Sequence, residues 1–183
     1  VEDMALRVSV PVALCQDHGG TFGEAMRAIH AGFTDVMVDR SSLPFDENAG
    51  QVAEIVRVAH ACGVGVEAEL GHVGIGTVDD SLYTQPDQAV KFCELTGCDA
   101  LAVAIGTTHG VYKNGNPHLE LELLKELDEV VPVPLVLHGG SGTGDDALAM
   151  ASKMGITKLN LSNDLKRGAI KELFSLGNDL MGM

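Results

Sequence analysis

Six short apolar runs punctuate the chain: VPVAL (10–14), DVMVD (35–39), GVGVEAEL (63–70), ALAVAIG (100–106), PLVLHG (134–139) and KLNLS (158–162). Each is rich in β-branched residues or Leu, and polar residues gather towards its C-terminal end. That is the pattern of buried parallel strands. Segments with helical spacing follow them: TFGEAMRAIHAG, DENAGQVAEIVRVAHACG, PDQAVKFCELTG, LELELLKELDEVV, DDALAMASKMG and DLKRGAIKELFSLG. The second has Asp46 as a cap-like start and ends at Gly63, and the third opens on Pro86 and closes on Gly97, in keeping with helix end preferences.

Alternating strands and helices predict a parallel α/β fold. The polar residues decide between an open sheet and a barrel. Asp17, His18, Asp39, Glu67, Glu69, His109, His138 and Asn160 fall at or just beyond strand C-terminal ends, and they come from all six strands. A (β/α)8 TIM barrel collects its chemistry at that rim, whereas an open sheet gathers ligands at one switch point. The expectation is a single partial barrel domain over residues 1–183, with about six βα units present. About two are expected to be missing, most simply from the N-terminus. The start VEDMALRVS, which lacks an initiator Met, fits a fragment, and exposed strand edges would then need a partner.

Composition narrows the chemistry. The 183 residues are 45% hydrophobic but only 4% aromatic, with no Trp, so Val, Leu, Ile, Ala and Met must build the core. A net charge of −14 argues against nucleic acid and anionic membranes as partners. A phosphorylated small molecule stays open, because backbone amides can bind phosphate. Cys15, Cys62, Cys93 and Cys98 show no CxxC spacing, which suits reduced thiols in a cytoplasmic protein. No apolar run approaches the ~18 residues of a membrane span, and no signal peptide is visible.

Of seven histidines, His30 and His60 lie in helical segments and His118 in a polar loop. Three of the remaining four, His72 being the fourth, share one context. His18, His109 and His138 each follow an apolar strand and directly precede glycine, as DHG, THG and LHGG. Three imidazoles brought to one rim, with a position left open, are a familiar catalytic Zn²⁺ arrangement; the alternative is three independent turn histidines. Strand alternation puts Cys15 and Asp17 on one face. Asp17 there can shuttle a proton or orient an imidazole from the second rank. Glu67 and Glu69 share a face of their strand, and Asp39 ends a neighbouring one. They can hold a second cation, pair with lysine or position ligands. HGGSG (138–142) and NLSND (160–164) follow the last two strands, and such loops with a helix N-terminus form the usual phosphate site of this barrel.

DHG, EAELG, AIGTTHGVY, PLVLHGGSG and KLNLSNDL occur in this order over essentially the whole chain. Together they resemble the class II, zinc-dependent ketose-bisphosphate aldolases of the fructose- and tagatose-bisphosphate type. The resemblance implies a cytoplasmic lyase of carbohydrate metabolism such as glycolysis. It would reversibly cleave a ketose 1,6-bisphosphate to dihydroxyacetone phosphate and glyceraldehyde 3-phosphate, through a zinc-stabilised enediolate. It implies Asp17 as proton donor and acceptor, and His18, His109 and His138 as Zn²⁺ ligands. Gly110, Gly139, Gly140, Ser141, Asn160, Leu161, Ser162 and Asn163 would bind the phosphorylated substrate. Asp39 and Glu69 match positions near a second cation, monovalent or divalent, in some members, and members are commonly dimers or tetramers. Three departures stand out. Cys15 replaces a frequent His, Asn163 replaces a Thr, and the loop after EAELG reads GHVGIGTVDD rather than GGxED, leaving Asp79 or Asp80 as its acids. These departures motivate a non-catalytic sugar-phosphate-binding paralogue as the alternative. A metal-dependent phosphosugar epimerase would need a second acid/base opposite Asp17.

Overall fold

The computed structural model describes residues 2–74, 80–110, 112 and 117–181. Six strands alternate with helices: β1 (Cys15–Gly19), β2 (Asp35–Val38), β3 (Gly65–Leu70), β4 (Ala100–Val103), β5 (Leu135–Leu137) and β6 (Ile156–Leu159). A short helix α1 (Glu2–Ala5) precedes them. The interleaved helices are α2 (Phe22–His30), α3 (Phe45–Ala61), α4 (Pro86–Thr96), α5 (Leu121–Val130) and α6 (Asp145–Lys153), with α7 (Asn163–Met181) after the last strand. All pairings are parallel and follow chain order, β1-β2-β3-β4-β5-β6.

That order is singly wound, with no switch point. The sheet also curls. Five strand spacings of about 4.8 Å would put β1 roughly 24 Å from β6 in a flat sheet. Instead, Asn160 Nδ2, just past β6, lies 3.2 Å from Asp17 Oδ1 on β1. Lys158 Nζ on β6 reaches Glu67 Oε2 on β3 at 2.6 Å. These contacts require a half-barrel whose concave side holds Asp17, Glu67, Lys158 and Asn160. The expected (β/α)8-type architecture is therefore present over six consecutive units.

Alternation sorts the side chains. Val36, Val38, Val66, Ala68, Leu101, Val103, Leu135 and Leu137 face outward into the helix-covered core. The concave side has only a small apolar group, Met37, Ala102 and Val136, and the rest of it is polar. Among the described residues no helix is long and apolar enough to cross a membrane.

Most boundaries differ from the sequence reading, the strands read as 63–70, 100–106 and 134–139 being trimmed to 65–70, 100–103 and 135–137, and three differences have a clear cause. The first strand is 15–19, not 10–14. Pro11 has no amide hydrogen, and pairing starts only at Leu14, whose carbonyl accepts Thr34 N and Asp35 N at 3.0 and 3.3 Å. Val8, Val10 and Val12 consequently stay exposed. The last strand is 156–159 rather than 158–162, because Gly155 (φ 124°) turns the chain straight from α6 into the ladder. Helix α3 begins at Phe45 behind Pro44, so Asp46 lies in its first turn and is not the cap; an acid there still favours the helix dipole.

Candidate active site

Strand β1 carries the first two site residues in a way simple alternation does not give. Its register against β2 shifts between Gln16 and Gly19, and His18 adopts φ 49°. A non-glycine residue at positive φ is uncommon and costs of order 1–3 kcal/mol. The irregularity re-aims the chain, so that adjacent residues Asp17 and His18 both serve the concave mouth. His18 Nε2 lies 3.8 Å from Asp17 Oδ1.

The three histidines that precede glycine do meet. Their rings stand mutually edge-on, with centroids 4.7 Å (His18–His109), 4.6 Å (His18–His138) and 5.7 Å (His109–His138) apart. Nitrogens of all three fall within 4.8 Å of one another. Two have their outer nitrogen held by a carboxylate. His18 Nδ1 is 2.9 Å from Asp39 Oδ2, and His138 Nε2 is 2.9 Å from Glu67 Oε1. The inner nitrogens, His18 Nε2 and His138 Nδ1, are 2.9 Å apart. Nε2 of His109 is buried with no hydrogen-bond partner among the described residues. Tetrahedral zinc with Zn–N near 2.05 Å would space such donors roughly 3.3 Å apart, so the donor set fits a zinc-like ion with little adjustment.

The electrostatics follow from these contacts. The hydrogen bond to Asp39 raises the His18 pKa, outweighing burial. Burial pushes the Asp39 carboxyl up, but hydrogen bonds from His18 and Ser41 hold it well below the usual range. Burial of Glu67 is likewise outweighed by His138 and Lys158, leaving its pKa lowered. Among the described residues His109 has no carboxylate partner, and desolvation lowers its pKa.

A cleft of about 320 Å³ opens beside the rings. It is lined by Cys15, Asp17, His109, Gly110, His138, Gly139, Ser141, Lys158 and Leu159, and by Asn160, Leu161, Ser162 and Asn163. Its wall is stitched across three loops. Ser141 Oγ accepts from Ser162 N (2.9 Å) and Asp164 N (3.3 Å), while Asn163 Nδ2 donates to Gly110 O at 2.8 Å. Gly140 stands apart: its N–H donates to Asn160 O at 3.2 Å and it does not line the cleft. Gly139 has φ 69°, and a Cβ there would overlap the Thr108 carbonyl, so only glycine lets the β5 loop close on the loop bearing His109. The Tyr112 hydroxyl accepts from Thr108 N at 2.9 Å and lies 3.0 Å from Gly139 O, bridging the same two loops.

On the other side of the rings, Asp39, Glu69 and His18 also present donors within 4.8 Å of one another. Glu69 is fully buried, its Oε2 has no partner among the described residues, and desolvation raises its pKa. Ser41 Oγ is 2.8 Å from Asp39 Oδ1, 3.0 Å from Glu69 Oε1 and 2.8 Å from His72 Nδ1. The remaining histidines lie elsewhere. His60 pairs with Asp99 at 2.8 Å, and His118 is exposed. Asp79 lies outside the described residues, as does the side chain of Asp80.

Lys158, Ser41, His72 and Tyr112 were not singled out from sequence. Lys158 was within reach, because it sits two positions before Asn160 and shares its strand face. The other three lie on loops, where no periodicity reports direction.

Cys15 sits at the cleft floor, where Sγ donates to Asp35 Oδ1 at 3.2 Å. Burial and that bond push the thiol up to about 12, and burial also raises the Asp35 carboxyl. A carboxylate with a raised pKa costs stability when ionised, and the cost disappears as pH falls below its unfolded value. Asp35→Asn keeps an acceptor for Cys15 and removes the charge. It should therefore raise stability at pH 7 by at most about 1 kcal/mol, since the group is half exposed. The gain should vanish near pH 4, as checked by thermal unfolding at both pH values.

Comparison with known proteins shows what the chain as a whole is similar to. Residues 1–180 match the family model for fructose-bisphosphate aldolase class-II. A probable fructose-bisphosphate aldolase of Bacillus subtilis (strain 168) is 43% identical over 163 residues, covering 86% of this chain and 56% of that relative. The crystal structure of the YdjI aldolase from Escherichia coli K12 superposes with a TM-score of 0.84 at 40% identity, covering 94% of this chain and 62% of that one. A putative fructose-1,6-biphosphate aldolase from Coccidioides immitis gives 0.83 at 30% identity, covering 92% and 62%. The chain thus spans between 56% and 62% of the length of these relatives.

Proposed function

The chain belongs to the class II fructose-bisphosphate aldolase family, and on that premise we propose that it carries the metal and phosphate half of an aldolase active site. The intact protein would cleave a ketose 1,6-bisphosphate, of fructose or tagatose type, to dihydroxyacetone phosphate and glyceraldehyde 3-phosphate. The observation that carries this reading is the convergence of His18, His109 and His138, two of which line one cleft together with Asp17.

His18 Nε2, His138 Nδ1 and His109 would hold a divalent metal, with zinc the best match to three imidazoles. When bound, it supplies Lewis acidity towards a ketose carbonyl. The chain's own residues do the rest. Backbone at Gly110 and Gly139, with Ser141 and the 160–163 turn at the α7 N-terminus, would anchor a phosphate, which fixes the reacting carbon against the histidines. Asp17 takes the proton of the C4 hydroxyl as the C3–C4 bond breaks. That oxygen becomes the aldehyde carbonyl, and the electron pair of the broken bond stays with the triose half that bears the original carbonyl, whose carbon then takes up a proton to give dihydroxyacetone phosphate while Asp17 gives up the one it took. Condensation runs the same steps backwards, with Asp17 returning the proton. Asp39 and Glu69 would take a second cation.

A direct assay tests the reading. The intact, zinc-loaded protein is offered fructose and tagatose 1,6-bisphosphates, and triose phosphate release is followed. Cleavage of either supports an aldolase. Tight binding of dihydroxyacetone phosphate with cleavage of neither would replace it with the non-catalytic alternative.

A further inference from the structure

Resting on that reading of the three histidines, we propose that Lys158 and Glu67 form a positioning pair that fixes His138 in the one tautomer able to present Nδ1 to the cleft.

His138 is fully inaccessible and Glu67 is 2% exposed, so no solvent competes for their polar atoms. A neutral imidazole has one N–H, and the hydrogen bond made by one nitrogen decides what the other offers. Glu67 Oε1 lies 2.9 Å from His138 Nε2. A carboxylate only accepts, so Nε2 carries the hydrogen and Nδ1 keeps its lone pair, facing His18 Nε2 at 2.9 Å. Asn160 cannot make this choice, because its Nδ2 is 3.3 Å from both ring nitrogens.

Glu67 must itself be held. Its Oε2 accepts from Lys158 Nζ at 2.6 Å and has no other partner among the described residues. Cys15 and Asp35 also place donor atoms within 4.8 Å of the Glu67 carboxylate. Without the ammonium, the carboxylate could rotate away from His138 towards Cys15. His18 is supported differently: Asp39 is fixed by Ser41, two residues away. The support of His138 spans three strands, Lys158 on β6, Glu67 on β3 and His138 after β5, and so links a ligand's orientation to the curl of the sheet. Outer-rank partners of this kind typically govern metal affinity by 10–100-fold.

The test uses the intact protein with Co²⁺ as probe, reading its dissociation constant by competition with a chromophoric chelator and its visible ligand-field spectrum. Lys158→Met should weaken Co²⁺ binding by about 10–100-fold and alter the spectrum, and Lys158→Arg should restore most of both. Glu67→Gln, which keeps the shape, should resemble Lys158→Met. Wild-type affinity and spectrum in Lys158→Met, with a raised KM for the bisphosphate, would make Lys158 a substrate contact and overturn the proposal; so would wild-type Co²⁺ binding in Glu67→Gln. A wild type that binds no Co²⁺ would overturn the metal-site reading itself, and the positioning pair with it.

Discussion

Stripping metal from the intact protein is expected to abolish ketose-bisphosphate cleavage and leave the fold in place, with Zn²⁺ restoring the activity. The expectation comes from how the imidazoles are prepared. Asp39 and Glu67 occupy the outer nitrogens of His18 and His138, so the inner nitrogens have nothing to do but face each other and the buried Nε2 of His109. Two of the three donors are thus set before any ion arrives. In the metal-free chain a proton must bridge His18 Nε2 and His138 Nδ1 across 2.9 Å. Asp39 raises the His18 pKa, so metal uptake should release protons. The fold should survive, because the helix-facing core of Val36, Val66, Leu101 and Leu137 has its own burial and owes nothing to the site. Elemental analysis, circular dichroism and the coupled assay on one sample check this. Full cleavage by protein shown to be metal-free would remove the histidines from the reaction.

Much of this was readable in the chain, for a physical reason. A strand buried on both faces must be apolar, so polar residues at its C-terminal end mark the rim directly; His138 and Glu67 were found that way. Element order also follows from the alternation of periods 2 and 3.6. What could not be read is where a ladder starts and where it breaks. The run at 10–14 has the composition of a strand, but pairing depends on Thr34 and Asp35 twenty residues on. The bulge that turns Asp17 and His18 together rests on φ 49° at His18, which nothing in the local sequence announces. Partner identity is similarly non-local. Glu67 was open to a cation, a lysine or a ligand, and the choice of Lys158, 91 positions away, is made by the curl of the sheet.

Asp17→Asn should then separate the proton chemistry from the metal. Asp17 is on the open side of the site, its side chain 66% exposed. Its hydrogen-bond partner in the structure is Asn160 Nδ2 at 3.2 Å, a contact that an asparagine oxygen can keep. Neither outer histidine nitrogen depends on it, since Asp39 and Glu67 hold those. The variant should therefore bind zinc like the wild type. An amide cannot accept and return the C4 hydroxyl proton, and loss of a positioned acid/base typically costs 10²–10⁴-fold. Because the proton moves only as the C–C bond breaks, the loss should fall on kcat, with KM little changed. Steady-state kinetics on samples matched for zinc content check both halves. Unchanged kcat with zinc retained would take Asp17 out of the proton transfer. Zinc lost along with kcat would instead make it a residue that orients His18, 3.8 Å away. Only kcat lost at full zinc occupancy fits a group whose task is the proton.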